Sequence, residues 1–239
     1  MYYDRFLMHC HCEATDRHFT LARAQKEIAQ YHRRGPTGTA RLMLAGIQES
    51  GVTADTMLDI GAGIGVLHHE LLGRGVTRAA QVEASSAYVE TARQESERRG
   101  HAARVEFAHG DFLSVAAGLP AVDLVTLDRV VCCYPELDQL VQQSAAKARK
   151  HYALSFPHDR WYVRAQTRWE NASRRRAGSA FRTFVHPPSR IQSLLLAAGF
   201  SVCWSRKTLV WQILICTRIE WPGPSQRAWR RVSRFSGPP

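Results

Sequence analysis

Three glycines follow a short apolar run in the order that a ligand-binding turn requires. Residues Leu58–Gly65, with the sequence LDIGAGIG, predict a strand that enters a glycine-rich turn at the start of a helix. Glycine permits a positive φ and a close backbone approach to a ligand, and free amides at the helix start favour an anionic group. The dinucleotide-binding fingerprint requires glycine at position 66, where this chain has valine. The spacing therefore disfavours a nicotinamide oxidoreductase.

Two further acidic residues stand where neighbouring strands are expected to end. Glu83 follows the run Ala79–Val82, about twenty residues beyond the turn, where a carboxylate can accept hydrogen bonds from both ribose hydroxyls. Asp111 lies just beyond a strand expected over residues 103–107. The carboxyl ends of parallel strands meet at one edge of a sheet, so Asp59, Glu83 and Asp111 are predicted to line one ligand site.

Strands and helices alternate from Thr56 onward, which predicts a parallel sheet covered by helices on both faces. The expected fold class is α/β, a Rossmann-like doubly wound and mostly parallel sheet. A C-terminal antiparallel hairpin is expected from residues 201–206 and 208–217. The predicted division is residues 1–52 as an N-terminal helical flank or lid, residues 53–219 as the sheet domain, and residues 220–239 as a basic, flexible tail.

The motifs together carry a family resemblance. The pattern Asp-x-Gly-x-Gly-x-Gly at residues 59–65, with the two later acids, resembles the cofactor motifs of class I S-adenosylmethionine-dependent methyltransferases. Residues 31–36 (YHRRGP), 128–135 (DRVVCCYP) and 181–187 (FRTFVHP) are similar to a bacterial family related to the magnesium-protoporphyrin O-methyltransferases. The likeness covers roughly residues 10–217 and implies that residues 53–219 form a class I methyltransferase domain. It implies S-adenosyl-L-methionine as the cofactor and S-adenosyl-L-homocysteine as the product.

The resemblance also implies the roles of single residues. The glycine turn would hold the amino-acid end of the cofactor, Glu83 the ribose, and Asp111 with the following backbone amide the adenine edge. The implied cofactor-binding residues are Asp59, Gly61, Ala62, Gly63, Gly65, Glu83, Ala84, Gly110, Asp111, Phe112 and Asp128. The implied catalytic residues, facing the transferred methyl group, are Tyr31, Asp128, Arg129, Cys133 and Tyr134. This chain has Cys133 where the porphyrin enzymes carry a histidine before the tyrosine.

The expected reaction is methyl transfer to a small, anionic acceptor, with O-methylation of a porphyrin-like propionate as one candidate. In-line displacement at a sulfonium depends on positioning and on exclusion of water, and a carboxylate acceptor needs no general base. Arg129, Arg164 and Arg182 are candidates to clamp such an acceptor bidentately, and Tyr31 or Tyr134 to orient it. Two alternatives stay open: an RNA or other nucleic-acid methyltransferase, and a non-catalytic binding module that retains the fold.

Positive charge concentrates in the second half of the chain, within a formal net charge of +11. Seven arginines and one acid lie between residues 160 and 182, and the tail adds Arg227, Arg230, Arg231 and Arg234, through which nucleic acid could bind. Such a surface suits nucleic acid, anionic lipid or an acidic substrate, and it also suits a simple solvated face. Trp161, Trp169 and Phe181 interleave with the arginines; we expect an amphipathic helix with its aromatic side inward rather than a base-stacking surface.

Cysteines and histidines do not combine into a predicted metal site. Six cysteines in 239 residues are too few for a disulfide scaffold and are expected to be reduced. The adjacent run His9–Cys12 cannot easily wrap one tetrahedral ion, so no metal is expected. Cys132 and Cys133 are expected to be buried near a strand end, or else to line the acceptor pocket. Without a signal peptide or a long apolar run, the protein is expected to be cytoplasmic and to have no membrane span.

Overall fold

A seven-stranded sheet organises the computed structural model, which describes residues 13–219. Its strands are β1 (Thr56–Ile60), β2 (Arg78–Glu83), β3 (Val105–His109), β4 (Val122–Leu127), β5 (Ala148–Pro157), β6 (Phe200–Lys207) and β7 (Trp211–Arg218). Their spatial order is β3-β2-β1-β4-β5-β7-β6, and β7 runs antiparallel to both of its neighbours. The strand order reverses between β1 and β4, the topological switch point of a doubly wound sheet. The predicted fold class and the C-terminal antiparallel hairpin are confirmed.

Helices cover both faces of the sheet. They are α1 (Leu21–Arg34), α2 (Gly38–Glu49), α3 (Val66–Leu72), α4 (Ser86–Arg98), α5 (Phe112–Val115), α6 (Leu137–Lys147), α7 (Trp161–Arg176) and α8 (Pro188–Ala197), with a further helical segment over residues 13–18. Within the described part of the chain, none of them is both long and apolar enough to cross a bilayer.

The central strands are buried on both faces, which explains their nearly continuous apolar sequences. All six residues of β4 are buried, and one apolar cluster fills each side of the sheet. Met43, Leu44 and Ile47 of α2 lie in one of these clusters, together with Ile213 and Ile215 of β7. The second half of the predicted N-terminal flank is therefore packed into the core of the sheet domain.

Several boundaries differ from the sequence prediction. The β3 strand begins two residues later than expected because residues 102–104 form a 3₁₀ turn. The last strand begins at Trp211 rather than at residue 208. The β5 strand begins at Ala148, where it pairs with Val122 of β4. The run His9–Cys12 and the predicted tail from residue 220 lie outside the described residues.

The predicted orientation of α7 is wrong. Trp161 and Trp169 are 80% and 69% exposed, whereas Phe181, which follows the helix, is buried. The inward face of α7 carries Val163 and the polar residues that roof a cavity, so the tryptophans point to the opposite side.

Candidate active site

Two adjoining cavities flank the glycine turn at the carboxyl ends of the parallel strands. Their volumes are about 340 Å³ and about 350 Å³, within the range of small-molecule sites. The first cavity extends past Glu83 and Asp111 toward α7, and the second extends under residues 35–40 toward Asp59. Both are lined by Glu27, Gly61, Gly63, Asp128, Arg129 and Trp211. Together the cavities can accommodate an extended ligand and a second molecule.

The glycine turn has the positive φ values that its sequence permits. Gly61, Gly63 and Gly65 have φ values of 60°, 58° and 86°, which side-chain-bearing residues rarely adopt. A Cβ on Gly61 would lie 2.4 Å from Val130 Cγ2, and one on Gly65 would lie 2.4 Å from His68 Cε1. The close approach of neighbouring side chains therefore requires glycine at both ends of the turn.

Glu83 joins the turn to the end of β2. Its buried carboxylate accepts hydrogen bonds from the Gly63 amide at 2.8 Å and the Ser85 amide at 2.9 Å. Burial raises the pKa of this carboxyl group, and the amide hydrogen bonds oppose the shift. Each carboxylate oxygen has lone pairs beyond these bonds, so Glu83 can also accept hydroxyl donors from the first cavity.

Asp111 caps α5 and holds a tyrosine. One carboxylate oxygen accepts the Ser114 amide at 3.0 Å, and the other accepts the Tyr134 hydroxyl at 2.7 Å. The Phe112 amide donates to the same hydroxyl at 3.3 Å. Tyr134 therefore bridges the acid and the following amide, the pair that the resemblance assigns to the adenine edge.

The ends of β1 and β4 contribute two more acids, the buried Asp59 and the partly buried Asp128. Asp59 accepts the Thr126 hydroxyl at 2.7 Å and His68 Nδ1 at 3.2 Å, and it lines the second cavity. Asp128 lines both cavities and accepts the Ser155 hydroxyl at 2.5 Å. Burial raises the pKa of the Asp128 carboxyl group. Asp128 is thus the acid placed between the two cavities, with Asp59 deeper beneath the turn.

Among residues 13–219, Arg129 is the one residue other than glycine that has a positive φ, of 61°. Its amide donates to the Ser155 hydroxyl at 2.8 Å, and its carbonyl accepts the Cys132 and Cys133 thiols at 3.3 and 3.6 Å. Strained conformations of this kind persist where the surroundings hold them, and they cluster at functional sites. The contacts hold the backbone at the point where both cavities meet.

A segment after α7 closes the first cavity. The Phe184 amide donates to the Cys132 carbonyl at 2.7 Å, and His186 Nε2 donates to the Tyr134 carbonyl at 2.8 Å. His18 stacks on the buried Phe181 ring with the centroids 4.2 Å apart. Residues 181–187, called the strap from here on, are thus fastened to the loop after β4.

Comparisons with known proteins agree with this geometry. Residues 57–151 match a family model described as a methyltransferase domain. Magnesium protoporphyrin IX methyltransferase from Synechocystis PCC 6803, solved with bound S-adenosylhomocysteine, is similar in structure with a TM-score of 0.61 at 21% identity, covering 81% of this chain and 86% of that one. The same enzyme with bound S-adenosylmethionine gives a TM-score of 0.57 at 20% identity, covering 82% and 83%. Residues 57–151 of this chain thus belong to a methyltransferase domain. The expected class I methyltransferase fold is confirmed.

Other solved structures share the fold with different activities. An O-methyltransferase family protein from Burkholderia thailandensis has a TM-score of 0.58 at 18% identity, covering 76% of this chain and 57% of that one. The [4+2]-cyclase SpnF has a TM-score of 0.58 at 14% identity, covering 75% and 81%. No curated protein matched the chain by sequence. At these identities the likeness shows the fold alone.

Most of the predicted site residues line the two cavities of the methyltransferase. The first cavity brings together Glu83, Ala84, Gly110, Asp111, Phe112, Cys133 and Tyr134. The second cavity includes Tyr31, Asp59 and Ala62, whereas Gly65 lines neither cavity and shapes the turn from behind. The Tyr31 hydroxyl donates to Glu70 at 2.6 Å under the Arg99 guanidinium, so the ring rather than the hydroxyl is available to a ligand.

The three arginines considered as an acceptor clamp separate in space. Arg129 lines both cavities, but Arg164 is exposed and pairs with Asp159. Arg182 donates to the carbonyls of Ser179 and Phe181 at 2.6 and 2.8 Å. Arg174 lines the first cavity instead. It could not be singled out from the sequence, because nothing in the arginine-rich segment shows which side chains face inward.

Proposed function

We propose that this methyltransferase transfers the methyl group of S-adenosylmethionine to a small anionic acceptor, with a carboxylate oxygen as the acceptor atom. The observation that carries the proposal is the continuity of the first cavity from Glu83 and Asp111 to Arg129 and Arg174. A porphyrin-like propionate is one acceptor of this class. The similarity to a magnesium protoporphyrin IX methyltransferase supports it as a first compound to test.

The residues present fit the cofactor. The positive-φ glycines leave the turn open to a ligand backbone, Glu83 offers a buried carboxylate to hydroxyl donors, and Asp128 lies where an amino group would be neutralised. Asp111 and the Phe112 amide offer an acceptor and a donor to an adenine edge. When bound, S-adenosylmethionine supplies a methyl group on a sulfonium for in-line displacement.

The side chains around the acceptor space favour an acceptor that is already nucleophilic. A hydrogen bond with Cys132 and, to a smaller extent, burial raise the pKa of the Cys133 thiol, so that thiol stays protonated at neutral pH. Burial raises the pKa of Tyr134 as well, and its hydroxyl is engaged with Asp111. His18 Nε2 faces the Arg23 guanidinium at 2.8 Å. A carboxylate acceptor requires none of these groups to remove a proton.

Arginine and enclosure supply the remaining requirements. Arg129 can hold an anionic group at the cavity through charge-assisted hydrogen bonds, and Arg174, although it pairs with Glu170 at 2.9 Å, keeps further N–H donors for such a group. Phe181 and Phe184 of the strap and Val163 of α7 add apolar walls that exclude water. The chain thus contributes position, charge neutralisation and desolvation to the displacement.

The cofactor half of the proposal is tested by calorimetric titration with S-adenosylmethionine and S-adenosylhomocysteine. Glu83→Gln is expected to weaken both affinities about tenfold or more, because a carboxylate hydrogen bond to the ligand is lost. Glu106→Gln, an exposed substitution on β3, is the matched control and is expected to bind as the wild type does. Unchanged affinity in a folded Glu83→Gln protein would contradict the cofactor site.

The acceptor half is tested by incubating the enzyme and methyl donor with a propionate-bearing porphyrin, other small carboxylic acids, and RNA. Mass spectrometry is expected to detect methyl esters of a carboxylic acid. Arg129→Gln and Arg174→Gln are expected to raise KM about tenfold through loss of a charge-assisted contact, while Arg164→Gln, outside both cavities, leaves KM unchanged. Methylation of RNA alone would overturn the proposed acceptor class.

A further inference from the structure

The outer face of α7 presents large apolar side chains to solvent. Trp161 and Trp169 are 80% and 69% exposed, and Leu209, at the turn between β6 and β7, is 77% exposed. The Tyr162 hydroxyl donates to the Leu209 carbonyl at 2.6 Å, which holds that turn against the start of α7. The two tryptophans and this leucine therefore belong to one surface, built from two elements that are fastened together.

Arginines share this face with the tryptophans. Arg168 and Arg175 recur with Trp161 at helical spacing, and Arg176 stands beside Trp169 on the same side. All three arginines are exposed and make no ion pair within residues 13–219, whereas Arg164 is paired with Asp159. We call Trp161, Trp169, Leu209, Arg168, Arg175 and Arg176 the α7 patch.

We propose that the α7 patch docks this enzyme on an anionic phospholipid surface. Tryptophan favours the headgroup level of a bilayer, an exposed leucine at a turn can reach the acyl boundary, and unpaired arginines are attracted to lipid phosphates. Binding to nucleic acid would explain the exposed arginines and tryptophans. Nucleic acid has no apolar layer, however, to receive the Leu209 side chain, which is 77% exposed. The combination of an aliphatic tip, interfacial aromatics and free positive charge favours the bilayer.

The patch lies directly behind the roof of the first cavity. Val163, Gln166 and Glu170, on the opposite face of α7, line that cavity, and so do Val210 and Trp211, which follow Leu209 in the chain. Docking through the α7 patch would therefore hold the roof of the cavity at the lipid surface. Taken with the proposed function, this arrangement suits an acceptor with an apolar body and an anionic group that partitions into the bilayer.

The test is cosedimentation of the full-length protein with phospholipid vesicles. The wild type is expected to bind vesicles containing about one third phosphatidylglycerol and to bind weakly to phosphatidylcholine alone, with binding reduced by salt. The triple variant Trp161→Ala, Trp169→Ala, Leu209→Ala is expected to lower the partition coefficient about tenfold or more. Leu196→Ala, which removes an aliphatic side chain that is 62% exposed on α8, is the matched control and keeps wild-type binding.

Two further arms distinguish the α7 patch from other sources of binding. A full-length variant with Arg227, Arg230, Arg231 and Arg234 changed to glutamine removes the tail charges and is expected to retain most of the binding. Loss of binding in that variant, with full binding by the triple variant, would overturn the proposal. It would also be overturned by binding of the patch to single-stranded RNA but not to vesicles. Cofactor titration of the triple variant verifies its fold and separates this test from that of the proposed function.

Discussion

At the scale of single residues, the Tyr134 hydroxyl occupies the groups that are expected to read adenine. It donates to Asp111 at 2.7 Å and accepts from the Phe112 amide at 3.3 Å. A ligand that uses the same acid and amide must displace this hydroxyl. Tyr134 therefore stabilises the ligand-free site while competing with the ligand.

Tyr134→Phe is expected to separate these two effects. Loss of the buried hydroxyl bonds lowers the free energy of unfolding of the ligand-free protein by about 1–2 kcal/mol. Removal of the competing contact raises the affinity for S-adenosylhomocysteine by up to about tenfold. Thermal melting and calorimetry measure the two quantities, with Tyr162→Phe as a control that loses a hydroxyl bond outside both cavities. A weaker affinity in Tyr134→Phe would mean that the hydroxyl helps to bind the cofactor.

Residue identities at the cofactor site could be predicted from the sequence, but their partners could not. The spacing of Asp59, Glu83 and Asp111 follows from strands that end at one edge of the sheet. Two contacts depend on how separate elements pack. They are the hydrogen bond between His68 and Asp59 and the hydrogen bond from the Tyr31 hydroxyl to Glu70. Arg174 was missed for the same reason, because composition does not show which arginine of a basic helix faces a cavity.

At the scale of elements, the glycine turn is held in place by the loop after β4. The Val130 side chain occupies the space beside Gly61, so a larger residue there must displace a buried β-branched neighbour. This contact links the carboxyl ends of β1 and β4 at the point where the two cavities meet.

Gly61→Ala is expected to lower the free energy of unfolding by about 3 kcal/mol through backbone strain and overpacking together. Gly100→Ala is the matched control, because Gly100 also has a positive φ, of 69°, but nothing lies within 4 Å of the added Cβ. Its cost is expected to be about 1 kcal/mol, from backbone strain alone. Urea denaturation measures the free energy of unfolding of both variants. Equal losses in the two would mean that the contact with Val130 contributes nothing to the cost of Gly61→Ala.

The order of elements was predictable, and the orientation of one helix was not. Alternating apolar runs identify the parallel strands because burial on both faces leaves little choice of sequence. The tryptophans of α7 point outward, against the usual preference of aromatic residues for the core. The inner face of α7 borders a cavity rather than a packed layer, and that local arrangement is invisible to periodicity.

At the scale of the whole molecule, buried and partly buried histidines make stability depend on pH. Burial and nearby positive groups lower the pKa of His69 to about 2 and that of His18 to about 4. Burial lowers the pKa of His101, His151 and His158 as well. Below the ordinary histidine pKa, near 6.5, the unfolded chain binds protons that the folded chain does not. These histidines therefore contribute full stability above that pH and lose it as the pH falls.

The free energy of unfolding is accordingly expected to fall as the pH is lowered from about 7 to about 5. Each proton taken up only by the unfolded chain contributes a slope of about 1.4 kcal/mol per pH unit. His69→Leu removes a buried ring whose Nε2 has no partner among the described residues, and it should flatten the dependence. His109→Gln, on the exposed side of β3, is the control. A dependence as steep in His69→Leu as in the wild type would contradict this account.

The sheet topology also has a consequence for synthesis of the chain. The last strand, β7, lies between β5 and β6, and Ile213, Leu214 and Ile215 are buried there. Helix α2, from near the other end of the described chain, packs against the same strand. The apolar surfaces of β5 and α2 therefore stay uncovered until residues 211–218 have been synthesised. The core of this domain closes only when α2 and β7, which lie far apart in the chain, come together.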